Sequence, residues 1–273
     1  MARTDPEPLR NLLEELARRF PPHLVEDQLR DIPRVAFEIG LVRERVGPNA
    51  ALCDVGSGLG LFPAACAKLG MRVTMMDDFV HPFVDAETAE AFPDAPDAVY
   101  YHGVDDALAL HRGLGVTVMA RDPLAGGFGF PSRSLDAVTL FDTMEHWHRS
   151  PKRLLHEIME ALVPKGLLVI GGPNCVNLRK RITVPLGRGK WSQMSHWYEP
   201  EHFRGHVREP DVGDYRYIAR DLGLTDVEIL GRNWAGHRNR RRWVRGITPL
   251  VDRVLRLRPP LCSDIYLVGR KPA

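Results

Sequence analysis

Lysine is nearly missing: six of the 37 basic residues are lysine, leaving 31 arginines. That bias, together with much alanine and proline, is what a GC-rich genome produces, so runs of arginine carry less weight as a nucleic-acid signature. Net charge is also small, 37 cations against 35 acids or +2, which gives no global attraction to nucleic acid or anionic membrane. Cysteine is scarce, and Cys53, Cys66, Cys175 and Cys262 form no C-x-x-C pair. Cys53 lies in an apolar strand pattern and Cys66 in a helical one, so both read as small buried thiols in a reducing compartment. No apolar run reaches membrane-spanning length. The start, "MARTDPEPLRNLLEELARRF", carries acids and lacks the apolar stretch of a signal peptide. A cytoplasmic protein is expected. What remains is ordinary for a globular chain: 273 residues, 44% hydrophobic and 26% charged, enough for one large domain or one domain with a cap.

The chain opens with helices. Leu9, Leu12, Leu13, Leu16 and Phe20 share one face, Pro21-Pro22 stop the pattern, and a second helix is expected over roughly 23–46. Strands and helices then alternate. "ALCDV", "RVTMM", "GVTVM", "LDAVTL" and "LLVIGG" read as strands. "LFPAACAKLG" and "SPKRLLHEIMEALVPKG" read as helices, the latter with Ser150 as N-cap and Pro151 at its first position. This alternation implies an α/β fold around a mostly parallel sheet. Residues 173–208 lack periodicity and are rich in histidine and tryptophan, which suggests a lid insertion. A helix "EPDVGDYRYIARDLGL", a strand "DVEIL" and a final strand "SDIYLVGR" follow. The expected organisation is an N-terminal helical segment 1–47 and a domain 48–273 with the lid at 173–208 and a helical insertion at 232–262.

"CDVGSGLG" follows the first sheet strand and opens a helix. Gly56 and Gly58 permit a tight turn and a close approach of backbone to ligand. The dinucleotide pattern G-x-G-x-x-G is not met, because residue 61 is leucine and the glycines fall at 56, 58 and 60. Asp54 precedes them. An acid beside the loop suits a nucleoside bearing an ammonium group better than a pyrophosphate. Asp77-Asp78 end the next strand, where a carboxylate can accept both ribose hydroxyls, and register favours Asp77. Asp122 ends the third strand and is placed to meet an adenine amine. Ser57, within the loop, and Phe141, at the end of the fourth strand, complete the expected cofactor set.

With these residues in view, the sequence resembles the class I S-adenosylmethionine-dependent methyltransferases. "DVGSGLG", "VTMMD", "ARDPL", "SLDAVTLFDTMEH" and "SPKRLLHEIMEALVPKGLLVI" stand in that family's order and spacing, over roughly 48–232 and the closing strand 263–270. The resemblance implies a Rossmann-like, seven-stranded, mostly parallel sheet with a reversed last strand and S-adenosyl-L-methionine across the strand tips. Lys165 departs from the family, which often has glycine there.

"FDTMEHWH", residues 141–148, concentrates ionisable groups directly after the fourth strand. Methyl transfer is an in-line displacement in which an alcohol, unlike an amine, needs a base or a Lewis acid. Three readings stay open for Asp142, Glu145 and His146. They brace the loop; or His146 acts as general base, oriented by a carboxylate; or all three hold a metal. The segment resembles that of the ubiquinone-biosynthesis O-methyltransferases, which implies Mg²⁺ at Asp142, Glu145 and His146, although imidazole suits Mn²⁺ better. Metal is favoured over base, since adjacent carboxylates without a cation repel each other.

In the lid, His196, Trp197, Tyr198, His202 and His206 offer aromatic faces and hydrogen-bonding groups suited to a carbohydrate. The region resembles actinobacterial polysaccharide methyltransferases, the methylmannose polysaccharide O-methyltransferases among them. The expected activity is O-methyl transfer to a hydroxyl of a sugar or oligosaccharide, such as a polysaccharide precursor. A phenolic or amine metabolite is the alternative acceptor, and an RNA-binding relative using "RNRRRWVR" a third reading. Nucleic acid is not expected as a partner, and homo-oligomerisation is left open. Trp243, Ile247, Leu250, Val251, Val254 and Leu255 form an apolar helical stripe ringed by arginine, expected to pack on the sheet, with contact to anionic lipid or to RNA as the other readings.

Overall fold

The computed structural model describes residues 6–79, 104–189, 194–198, 203, 205–237, 239 and 241–273. Two compact units result, residues 1–129 with 134–138 and residues 130–133 with 139–273.

In the first unit, α1 (Pro6–Ala17) and α2 (Pro22–Val46) form as their periodicity predicts. Pro22 opens α2, where a missing N–H costs nothing. Leu13, Leu16, Phe20, Ile32, Val35 and Ile39 are all buried. Next come β1 (Ala51–Val55), α3 (Leu61–Lys68), β2 (Arg72–Asp77), α4 (Val104–Gly113), β3 (Thr117–Ala120) and the short α5 (Pro123–Gly126). β2 pairs in parallel with both β1 and β3, so Val55 stands opposite Met76 and Asp77 opposite Ala120. Every residue of β1 is buried, as expected for a parallel strand covered on both faces.

The second unit holds the end of β4 (Leu135–Phe141), a 3₁₀ turn (Met144–His146), α6 (Lys152–Ala161) and β5 (Leu162–Pro173). After these come α7 (Leu178–Thr183), α8 (Ser195–Tyr198), α9 (Val212–Asp221), β6 (Thr225–Arg232), α10 (Trp234–His237), α11 (Arg242–Leu255) and β7 (Asp264–Arg270). β7 runs antiparallel to both β5 and β6. The strands form one seven-stranded mixed sheet in the order β3-β2-β1-β4-β5-β7-β6, with the expected reversed last strand.

Several local expectations need correction. The N-cap of α6 is Pro151 rather than Ser150, although the Ser150 hydroxyl still accepts the Lys152 N–H at 3.3 Å. That helix ends at Ala161, and "LVPKG" already belongs to β5, whose residues exchange hydrogen bonds with β7. Lys165 takes φ 61°, a left-handed conformation in which glycine would relieve about 1 kcal/mol.

The largest departure is α11. Its apolar stripe does not pack: Trp243, Ile247, Leu250, Val251 and Val254 are 42–72% exposed. The helix docks instead through its opposite side. Buried Thr248 donates to the Val244 carbonyl and lies so close to Gly236 that a Cβ there would meet its Oγ1 at 2.5 Å. Asp252 accepts from the Asn233 amide at 2.9 Å. No helix among the described residues is long and apolar enough to cross a membrane.

Candidate functional site

The glycine loop sits at the end of β1. Gly56 and Gly58 have φ of 66° and 52°, where a side chain would be strained. The loop is tied to the end of β2: the Gly56 N–H donates to the Met76 carbonyl at 2.7 Å, and the Gly58 N–H to Asp77 Oδ2 at 2.9 Å. Asp77 Oδ1 accepts the Phe79 N–H at 3.0 Å, so one carboxylate holds both turns. Burial pushes its pKa up to about 6 against the pull of those two N–H groups, and the neighbouring Asp78 adds to the rise. Ser57 Oγ is enclosed without a hydrogen-bond partner among the described residues, an arrangement that a ligand's polar group would satisfy.

The far end of the loop rests on His111. Its buried imidazole lies 3.0 Å from the Gly60 carbonyl and 2.7 Å from that of Ala107. Burial lowers its pKa despite both carbonyls, which favours the neutral ring. Nothing in the sequence pattern marked this residue. Asp54 is buried within β1. Asp122 is exposed, and its Oδ1 caps α5 by accepting from Leu124 and Ala125 at 2.8 and 3.3 Å.

The acid-and-histidine segment lies in the second unit. Phe141 packs edge-on to Tyr266, their ring centroids 6.0 Å apart, over Gly171. Asp142 turns the chain with φ 48°, its N–H donating to the Gly171 carbonyl at 2.9 Å. Glu145 is 1% exposed. Its carboxylate fits against Gly172, where an added Cβ would stand 3.2 Å from Oε2. Its charge reaches buried Tyr215, whose hydroxyl is held well above its ordinary pKa, first by burial and then by Glu145.

The Glu145 carbonyl accepts the N–H groups of Val207 and Arg208 at 2.6 and 3.2 Å, which straps the end of the lid to this turn. The strap sets the His206 ring edge-on to His146, centroids 4.8 Å apart. Ligand atoms of Glu145, His146 and His206 thus lie within 4.8 Å of one another. Asp142 does not belong to this close group; His206, expected to contact acceptor, takes the third place. Behind it, His206 Nδ1 meets Glu209 Oε1 at 2.8 Å, and Lys180 pairs with the other carboxylate oxygen. Burial acts to raise the Glu209 pKa, but the hydrogen bonds from His206 and Lys180 outweigh it and hold it below its usual range. Glu209 was missed, although "HVRE" places it three residues beyond His206. Trp197 and Tyr198 of α8 are 58% and 72% exposed. His202 and the side chain of His196 lie outside the described residues.

A family model described as a methyltransferase domain matches residues 6–229, and the chain belongs to that family. No curated protein matches the sequence. Among solved structures it is similar to a SAM-dependent methyltransferase from Archaeoglobus fulgidus (TM-score 0.50, 16% identity, 89% of this chain and 94% of that one). An S-adenosylmethionine-dependent methyltransferase from Mesorhizobium loti aligns at TM-score 0.50 and 17% identity, over 88% of this chain and 97% of that one. Phosphoethanolamine N-methyltransferase 2 of Haemonchus contortus, in complex with phosphomonomethylethanolamine and S-adenosylhomocysteine, aligns at TM-score 0.52 and 16% identity, over 87% of this chain and 53% of that one. At such identities these are likenesses of fold.

Proposed function

We propose that the protein is an S-adenosyl-L-methionine-dependent O-methyltransferase whose acceptor is a hydroxyl of a sugar or oligosaccharide, such as a polysaccharide precursor. The observation that carries the reading is the convergence of Glu145, His146 and His206, with Glu209 hydrogen-bonded behind His206. A neutral amine is nucleophilic with little help, whereas a hydroxyl needs its proton removed or its oxygen polarised. Gly56, Ser57, Gly58 and Asp77 bind the cofactor: the glycines admit it to the backbone, Ser57 Oγ meets a polar group and Asp77 takes the ribose hydroxyls. Asp54, Asp78, Asp122 and Phe141 are the further cofactor candidates of the same reading. The cofactor supplies a methyl group already activated as a sulfonium.

Glu145, His146 and His206 are proposed to hold a divalent cation, which would lower the pKa of an acceptor hydroxyl and orient it. One carboxylate and two imidazoles suit Mn²⁺ ahead of Mg²⁺. The Glu209–His206 pair is the arrangement that fixes the orientation of a ligating imidazole and raises its basicity. The exposed Trp197 and Tyr198 offer flat apolar faces on which a pyranose ring can stack. The four free thiols suit a reducing compartment such as the cytoplasm.

The test is a screen of glycans, phenols and amines for S-adenosylhomocysteine release, repeated with Trp197→Ala and Tyr198→Ala. A sugar acceptor predicts turnover with glycans and a raised KM in both variants, at unchanged cofactor affinity. Turnover confined to amines would overturn the reading.

A further inference from the structure

Charge along this chain is segregated, although its total is only +2. From Arg232 through Arg258 nine arginines accompany one acid, Asp252, a net of +8. From Asn174 through Tyr198 three arginines and two lysines stand without any acid, a net of +5. The rest of the chain therefore carries −11, since 2 − 8 − 5 = −11. Both basic stretches lie in the second unit, and they meet. Leu178 and Ile182 of α7 line one pocket of about 370 Å³ together with Leu255 of α11 and Leu261 just beyond it.

Each stretch also exposes large apolar side chains. On α11, Trp243, Ile247, Leu250, Val251 and Val254 recur at helical spacing on one face, and Leu257 extends it. Arg242 and Arg253 border that face, and both are exposed. Asp252 points the other way, bound to Asn233. In and after α7, Leu178, Ile182, Val184 and Leu186 are exposed beside Arg179 and Arg188. An exposed apolar surface of this extent marks an interaction site, and its arginine border calls for an anionic partner.

We propose that α11 and the α7 segment dock this protein on an anionic phospholipid bilayer. The aliphatic stripe enters the boundary between headgroups and acyl chains, Trp243 sits at headgroup level, and the bordering arginines meet lipid phosphates. Single-stranded RNA would also answer to the positive charge, but its bases need aromatic platforms, and this face has one tryptophan among aliphatic residues. The helix is too short to span a bilayer, so the protein lies on the surface.

The experiment is co-sedimentation of the full chain with vesicles of phosphatidylcholine alone or equimolar phosphatidylcholine and phosphatidylglycerol. Binding to the mixed vesicles alone, weakened by salt, is expected. Leu250→Glu with Val254→Glu should abolish it, and Arg242→Gln or Arg253→Gln should each weaken it about fivefold. These side chains are exposed, so the fold should survive; unchanged circular dichroism and retained S-adenosylmethionine binding check this. A vesicle-induced blue shift of tryptophan emission should disappear in Trp243→Phe while binding persists. Absence of binding to mixed vesicles, or full binding by the double variant, would overturn the proposal. So would a lipid-free dimer that the double variant dissociates, which would give this face to a second copy. Binding of single-stranded RNA with no binding to vesicles would overturn it too.

Discussion

His146 and His206 meet edge to face, with ring centroids 4.8 Å apart, where the carbonyl of Glu145, next to His146, accepts the N–H groups of Val207 and Arg208, next to His206. A backbone contact thereby assembles a side-chain group from two distant parts of the sequence. The metal reading of that group makes a prediction that the sequence alone would have placed differently. Activity should vanish with EDTA and return with Mn²⁺. Glu145→Gln, His146→Ala and His206→Ala should each abolish the response to metal. Asp142→Ala, outside the close group, should keep it. Full activity in a chelated preparation would instead give the group to general-base chemistry.

Glu209 supplies a separate check. It orients His206 without belonging to the close group, so Glu209→Gln should weaken metal affinity roughly 10–100-fold and leave the ligand set intact. The readout is Mn²⁺ titration by calorimetry. An unchanged affinity would reduce Glu209 to a surface partner of Lys180.

Asp77 sets a pH dependence. Its folded pKa of about 6 lies above the ordinary value of 3.8, so the apo protein gains stability from this group below 3.8 and loses it as pH rises through about 6. With Asp77 as the proposed partner of the ribose hydroxyls, cofactor binding runs the other way, because the ionised carboxylate is their better acceptor. Affinity for S-adenosylmethionine should therefore fall as pH drops through about 6. Asp77→Asn should flatten that profile and weaken binding by roughly 1–3 kcal/mol. Calorimetry across this range decides it.

Gly172 tests the placement of Glu145. In Gly172→Ala the new Cβ would stand 3.2 Å from Glu145 Oε2, so the carboxylate must shift by a few tenths of an ångström. We expect kcat to fall about tenfold to a hundredfold with cofactor affinity unchanged, the pattern of a misplaced reacting group. A loss of thermal stability in step with activity would make Gly172 a packing residue only.

The glycine loop was legible as a turn because its signals are local. Glycines, a strand end and an acid at the next strand end fix one another through a few backbone bonds, as the Gly58–Asp77 contact does. His206 was visible as a residue but not as a neighbour of His146, since the strap between them is made by main-chain groups that carry no sequence signature. His111 was silent for the same reason, since it acts through the carbonyls of Ala107 and Gly60, whereas Glu209 stood three residues from His206 in "HVRE" and was overlooked. The stripe on α11 was legible as a period, and the period was right. Which way it faces was not, because periodicity reports that one face is apolar and says nothing of what covers it. Small, polar Thr248 against Gly236 settled the docking side.

The two anchors of the lid have a consequence for how such a protein can change. At its start, buried Asn174 is bonded to the carbonyls of Pro260 and Cys262 at 3.1 and 2.9 Å and donates its own N–H to Ser263. At its end, Val207 and Arg208 are fixed by Glu145. Between those clamps, side chains other than His206 and Lys180 can change without moving either end. On the proposed reading, preference for a new acceptor can be acquired in these positions while Glu145, His146 and His206 keep their geometry. Recognition and chemistry would then drift apart at different rates, with His206 as the one lid position held by both.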